Sequence, residues 1–122
     1  MLFKFGADIN KRDALGRNCL YIACSGHKEK TFAYLVNAQW RIIDFKQRDN
    51  DGNVLLNYVA MHGSLLMLKQ VMDHMTERKL DLDCRNYTGY TALLLAIKSN
   101  RFLNAFALIK DGKSSISIKV IL

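Results

Sequence analysis

Apolar residues fall along the chain in short clusters of helical spacing, each entered through a polar turn that holds one glycine. The clearest case is 85–99, where Arg-Asn-Tyr-Thr-Gly-Tyr-Thr leads into Ala-Leu-Leu-Leu-Ala-Ile-Lys-Ser. Thr91 stands where a hydroxyl can accept from an orphan amide of the first helical turn. One such cluster cannot bury its own apolar face, and the chain writes the pattern three times. Asp8, Asp44 and Asp81 align at steps of 36 and 37 residues. Gly16, Gly52 and Gly89 stay in register with them, as do Leu20, Leu56 and Leu93, then Ala23, Val59 and Ala96. A second stripe follows: Leu35, Val71 and Leu108, then Val36, Met72 and Ile109. Agreement at this many positions identifies an internal repeat.

Each unit predicts an Asp/Asn-x-x-Gly turn, a short first helix, a break and a second helix. The first helices are expected at 20–25, 55–61 and 92–98, the breaks near His27, Gly63 and Asn100, and the second helices at 29–38, 65–75 and 101–110. Positive φ is expected at the turn glycines, since only glycine adopts it cheaply. Before Asp44 and Asp81 the chain carries three and four residues more than before Asp8. Each insertion is close to one helical turn of ~3.6 residues, so a second helix can lengthen without reorienting; Trp40, Ile42 and Ile43 are the apolar residues of one extension and Met75 and Leu80 those of the other.

These residues resemble the ankyrin repeat. Gly6-Ala7-Asp8-Ile9-Asn10 is similar to the end of a repeat, Asp13-x-x-Gly16-x-Asn18-Cys19-Leu20-Tyr21-Ile22-Ala23 to its turn and first helix, and Gly89-Tyr90-Thr91-Ala92-Leu93-Leu94-Leu95-Ala96 more closely still. The resemblance covers about 2–113 and implies an all-α solenoid of stacked helix-turn-helix units with projecting β-turn fingers and a concave face lined by first helices. It divides the chain, read as one domain, into the end of a truncated repeat at 1–12, repeats at 13–48, 49–85 and 86–113, and a non-repeat tail at 114–122. The longer linkers resemble the inhibitor-of-kappa-B group within the family. The family's Thr-Pro-Leu-His becomes Asn18-Cys19-Leu20-Tyr21, Val54-Leu55-Leu56-Asn57 and Thr91-Ala92-Leu93-Leu94. Val54 cannot cap, which costs roughly 1 kcal/mol, and the histidine's bonds between neighbouring repeats must be replaced or lost. The array is expected to be weakest around 49–62. Neither end reads as a polar cap, which leaves a fragment, a short isoform or docking by an exposed end as readings; the tail either packs over the last repeat or does not.

Composition narrows the functional classes. Half of the 122 residues are apolar, which suits one globular domain. No apolar run approaches the ~20 residues that span a bilayer, and the first residues do not read as a secretory signal. Cys19, Cys24 and Cys84 show no paired spacing, so a reducing compartment, cytoplasmic or nuclear, is expected. His27, His62 and His74 have no in-register nucleophile, and no recurring Cys/His pairs or phosphate-binding glycine loop occur; the expectation is no catalytic residues, no metal and no cofactor. Net charge is +7, with nine cations against five anions in 1–50 and nine against six in 51–122. Such a balance permits an acidic partner without demanding one.

Stacked repeats would place Arg12, Arg48 and Arg85 in a row along the fingers. Arginine pairs bidentately with carboxylates, so this ladder is a candidate edge for an acidic segment, extended by Lys11, Arg17, Lys46 and Lys98. The alternative, which weighs more for the first two, is that Arg12 and Arg48 pair with Asp13 and Asp49 on a solvated surface; Arg85 has no adjacent carboxylate. Tyr87 and Tyr90 flank the third fingertip glycine, either as binding anchors or packed against a neighbouring finger. Ile22, Tyr58 and Leu95 share a register that faces groove or core. Leu2, Asp8, Ile9 and Asn10 resemble the surroundings of ankyrin asparagines modified by a cytosolic hydroxylase, which marks Asn10. The expected function is non-enzymatic protein binding through fingers and concave face, with oligomeric state open. The alternatives are an inhibitor-of-kappa-B-like regulator that masks a transcription factor, although such masking usually uses acidic surfaces, and, less favoured, direct nucleic-acid binding.

Overall fold

The computed structural model describes residues 8–110. The expectations for 1–7, including the Gly6-Ala7 start and Leu2, and for the 114–122 tail lie outside the described residues. Six helices follow one another: α1 (Cys19–Ser25), α2 (Glu29–Ala38), α3 (Leu55–His62), α4 (Leu65–Glu77), α5 (Ala92–Lys98) and α6 (Phe102–Lys110). Among the described residues there is no strand. α1, α3 and α5 stack in one layer and α2, α4 and α6 in a second, with each pair packed across the layers. This is the all-α solenoid that the repeat implies.

The repeated apolar positions build one continuous core. Leu20, Leu56, Leu93, Val59, Ala96, Val71 and Leu108 are all buried in it, each large aliphatic contributing about 1.5–3 kcal/mol over exposure. Helix starts follow local chemistry. Asn18 accepts from the amides of Leu20 and Tyr21, Ser64 from Met67, and Thr91 from Leu94. Val54 supplies no such bond, as expected. Its own amide instead donates to Asn57 Oδ1 at 2.9 Å.

The turn glycines have φ of 79°, 82° and 90° at Gly16, Gly52 and Gly89, as the turn chemistry requires. The breaks after α1, α4 and α5 use the left-handed conformation too, but place His27, Lys79 and Asn100 in it. After α4 the amide of Leu80 bonds Met75 O and that of Lys79 bonds Thr76 O, the paired bonds of a Schellman end. Gly63 is different: its backbone is extended, and an added Cβ would lie 2.6 Å from Val59 Cγ1. Close approach, rather than backbone freedom, requires glycine there.

The two insertions are used differently. α2 ends at Ala38, as its expected span has it, with Trp40, Ile42 and Ile43 beyond it, while α4 runs past Met75 to Glu77, with Leu80 beyond it. The register explains the difference. Met75 extends the apolar stripe of α4 one turn past Val71 and is buried. Its counterpart after Leu35 is Gln39, which gives the core nothing to bury. The insertion turns back through Ile42 N–H to Gln39 O and buries Ile43 and Phe45 directly. Arg78 from the end of α4 braces it, donating to Ile43 O at 3.1 Å with its guanidinium 5.4 Å from the Phe45 ring centre. Trp40 stacks on His74 at 5.6 Å.

Candidate functional site: the concave groove and its fingers

The fingers are held together by backbone and side-chain bonds across successive units. Asn50 N–H donates to Leu15 O and Tyr87 N–H to Asp51 O. The arginine ladder runs along them, but its guanidinium groups face carbonyls. Arg12 Nη1 donates to Arg48 O at 3.0 Å. Arg48 Nη1 donates to Arg85 O at 2.8 Å and to Gly52 O at 2.6 Å. Arg85 Nη1 donates to Gly89 O at 2.7 Å within its own finger. This corrects the alternative in which Arg12 and Arg48 pair with Asp13 and Asp49. Asp49 is buried and accepts the amides of Asp51 and Asn53. Asp13 pairs with Arg17 at 3.1 Å. The Arg17 amide is the largest cause holding the Asp13 carboxyl below its ordinary value, and bonds to Tyr58 and then Asp13 hold Arg17 above its own. Arg17 is therefore a neutralised cation.

Between the second and third fingers and the first helices lies a recess of about 420 Å³. Tyr87, Tyr90 and Lys98, all singled out from sequence, line it together with Asp51, Tyr58 and His62. Lys98 Nζ sits 4.7 Å from the Tyr90 ring centre, an attraction worth about 0.5–1 kcal/mol at an exposed site. Tyr87 packs against the neighbouring finger and still keeps most of its surface exposed. Its ring lies over Gly52, where an added Cβ would be 2.4 Å from Cδ1, yet it is 71% exposed. Of the first-helix register, Ile22 faces outward while Tyr58 and Leu95 are buried. Tyr58 bridges Tyr21 and His62, at ring separations of 5.0 and 4.7 Å. Desolvation, followed by the charges of Arg101 and His27, pushes the His62 pKa down. Tyr58 and His62 thus give the recess an aromatic wall, and its charged lining is Lys98 with the carboxylates of Asp49 and Asp51.

A set of polar residues that sequence reading passed over fixes the groove's shape. Tyr21 occupies the family's histidine position, and its hydroxyl shares its one proton between Gln47 O and Asn53 O, at 2.9 and 2.8 Å. Asn57 occupies it in the next unit and donates from Nδ2 to Cys84 O at 3.1 Å. The bonds between repeats are therefore replaced in two units; Leu94 stands at the third. Arg101 and Asn104 close the end of α3, donating to Met61 O and to Ala60 O and Gly63 O. Their register partners, Ser64 and Met67 in the unit before, gave no hint of this. Asn10 is half-buried, with Nδ2 on Ile42 O and Oδ1 accepting from the Asp44 amide. Both ends of its amide are engaged across the repeat boundary. Among the described residues no three His, Cys, Asp or Glu side chains converge to hold a metal ion, and no helix is long and apolar enough to cross a membrane. The thiols are free, and burial pushes Cys24 up to about 12.

Comparison with known proteins gives a consistent picture. No protein-family model matches the chain. IkB-like proteins from two isolates of African swine fever virus are 35% and 34% identical over 71 residues, covering 58% of this chain and 30% of each viral protein. An ankyrin repeat protein of Acanthamoeba polyphaga mimivirus is 27% identical over 127 aligned positions, covering 92% of this chain and 17% of that protein. The chain thus spans under a third of the length of these relatives.

Proposed function

Because the chain belongs to the ankyrin-repeat family, we propose that it is a non-enzymatic protein-interaction module that holds a partner in the groove between its second and third fingers. The observation that carries this reading is the convergence of exposed Tyr87 and Lys98 and half-buried Tyr90 on one recess beside the aromatic rings of Tyr58 and His62. Tyrosine supplies contact area at little conformational cost, and such residues dominate binding energy in interfaces. Lys98 gives the groove a preference for a segment with a carboxylate placed beside an apolar side chain. The ladder contributes through shape, since Arg12 and Arg48 fix finger spacing; Arg85 is its candidate contact residue. This activity belongs to a reducing compartment, in keeping with three free thiols.

The test is quantitative affinity capture with the wild-type chain and a Tyr87→Ala/Lys98→Glu variant. The side chains involved are exposed, so the variant is expected to keep its fold. Partners that depend on the groove should fall at least about tenfold, the equivalent of 1.4 kcal/mol. A partner set unchanged by the double substitution refutes the groove as the binding site.

A second reading, an IkB-like regulator that masks a transcription factor, draws on the names of the viral relatives. It requires a groove-dependent partner that binds DNA, and loss of that DNA binding when the chain is added. Direct nucleic-acid binding requires an affinity for random DNA that falls steeply with salt; negligible binding at low salt excludes it.

A further inference from the structure

Among the described residues the third finger is the one whose turn glycine nothing overlies. In the first two fingers the next one crowds the turn: a Cβ on Gly16 would meet Asn50, and one on Gly52 would meet Tyr87. Around a Cβ placed on Gly89 nothing lies within 4 Å. Tyr87 and Thr88, at this tip, are both exposed. Open tips of this kind are the segments that a second protein draws most easily into its own cleft.

The sequence around the tip singles out one hydroxyl. Thr88 is the only serine or threonine of the chain with an arginine three residues before it. That is the spacing by which basophilic protein kinases select an acceptor, a recognition built on charge pattern. Thr31, with Lys28 three residues before it, lies within α2 and would have to unwind the helix to enter a kinase cleft. The repeat supplies a precedent for charge at the Thr88 position. Leu15, Asp51 and Thr88 follow the ladder arginines Arg12, Arg48 and Arg85 by the same three residues. The second finger thus already carries an anion, the exposed Asp51, where a phosphate on Thr88 would stand in the third.

The turn does not depend on the hydroxyl. Thr88 Oγ1 donates to Asn86 Oδ1 at 2.8 Å, but that oxygen also accepts the amides of Thr88 and Tyr90, at 3.1 and 2.9 Å. The side-chain tie across the finger therefore survives loss of the hydroxyl proton. Arg85 is exposed, with Nη1 on Gly89 O.

We propose that Thr88 is the phosphoacceptor of a basophilic serine/threonine kinase, and that a phosphate there closes the recess to a carboxylate-bearing segment. In the transfer, Thr88 Oγ1 attacks the γ-phosphorus of a nucleoside triphosphate. The bond from that phosphorus to the bridging oxygen breaks, the diphosphate leaves with the electron pair, and the hydroxyl proton passes to the kinase's catalytic carboxylate. The product carries about −1.5 to −2 charge at pH 7. Thr88 lines the same recess as Lys98, Asp49 and Asp51. The phosphate therefore joins two carboxylates and competes with an incoming one for the single ammonium. The closure rests on the groove reading given above; the assignment of Thr88 does not.

The full chain is incubated with ATP, magnesium and the catalytic domain of a calmodulin-dependent protein kinase, which reads arginine at this spacing. Tandem mass spectrometry locates the phosphate, expected on Thr88 and absent after Thr88→Ala. Arg85→Met should slow incorporation at least about tenfold, since methionine offers the kinase no charge to pair with. That variant also frees Gly89 O and loosens the turn, which would speed a reaction limited by access, so the direction of the change separates recognition from opening of the finger. Partners that depend on Tyr87 and Lys98 should bind the phosphorylated chain at least about tenfold more weakly. Three results overturn Thr88 as the acceptor: no phosphate on the folded chain, phosphate on another residue in preference to Thr88, or an undiminished rate in Arg85→Met. Groove-dependent partners that bind the phosphorylated chain as tightly as the unmodified one overturn the closure. If no partner depends on Tyr87 and Lys98, the groove reading and the closure fall together, and phosphate on Thr88 still upholds the acceptor.

Discussion

Replacing Asn57 by alanine removes both halves of a bond pair that ties the second unit to the third. Asn57 is 1% exposed; its Oδ1 accepts from Val54 N–H at 2.9 Å and its Nδ2 donates to Cys84 O at 3.1 Å. Val54 cannot cap α3 itself, so its amide loses its partner inside the core. Leaving a buried donor or acceptor unsatisfied costs about 1–3 kcal/mol. The Val54 amide is fully inside and takes most of that range; Cys84 is half-buried, and water can partly replace the lost donor at its carbonyl. A loss of about 2–4 kcal/mol is therefore expected, large against the total stability of a small domain. The contrasting variant is Leu94→Ala, at the same register position in the third unit but half-exposed, where no inter-unit bond is lost and about 1–2 kcal/mol of apolar contact is the expected cost. Urea denaturation followed by circular dichroism reads both as shifts of the midpoint, with the slope testing whether unfolding stays cooperative. If Asn57→Ala falls within 0.5 kcal/mol of wild type, taken as about the scatter of surface substitutions, Asn57 does not do the work of the family's histidine.

The ladder separates structural from exposed arginines: Arg48→Met should cost about 1–2 kcal/mol by removing charged donors from Arg85 O and Gly52 O, whereas Arg85→Met, which loses one bond within its own finger, should cost under about 1 kcal/mol by the same urea assay. Lys79 holds φ at 57°, so Lys79→Gly should stabilise the chain by up to about 1 kcal/mol; destabilisation would show that its side chain contributes more than the strain it causes. For His62, burial, then Arg101 and His27, lower the folded pKa below the ordinary 6.5. The unfolded chain then binds more protons between the two values, so the contribution is full above about pH 6.5 and is lost as pH falls through the folded pKa. Urea midpoints at about pH 7.5 and 5.5 should differ less in His62→Gln than in wild type, and an equal difference would contradict the assignment.

The frame of the fold was legible because it depends on residue types with few alternatives. A left-handed turn selects glycine, a helix start selects Asn, Ser or Thr, and the core selects apolar side chains at fixed steps; all three recur in register. The different use of the two insertions had a readable cause, since Gln39 stands where Met75 extends the stripe of α4, and insertion length alone does not say whether an added turn has anything to bury. The polar ties were harder to see. Tyr21 and Asn57 share nothing in the sequence except their column, and both act on backbone carbonyls, which every residue carries. The same fact misdirects a reading of the arginine ladder. Carboxylates such as Asp13 and Asp49 are visible in a sequence and invite pairing with Arg12 and Arg48, whereas the acceptors they use, the carbonyls of the next finger, leave no trace in residue type.

A repeat protein separates frame from function by column. Where a column keeps its chemistry, as at Leu20, Leu56 and Leu93, selection by the stack is sufficient explanation. Arg12, Arg48 and Arg85 keep theirs as well, and the bonds of the first two to the next finger show that the stack itself requires arginine there. Conserved chemistry along the ladder is thus evidence for structure, and the case for partner contact moves to columns that change. Tyr90 replaces the buried Asn53 and brings Lys98 against its ring. Phe106 replaces Lys69, and Ile97 replaces Ala60. Each of these changes puts aromatic or aliphatic area at the surface of the third unit, in a stretch without a single carboxylate. The even division of the net charge between the two halves of the chain conceals this concentration. Under the proposed function, partner contact is therefore expected at the third unit, in the groove beside Tyr87, Tyr90 and Lys98, rather than along the ladder.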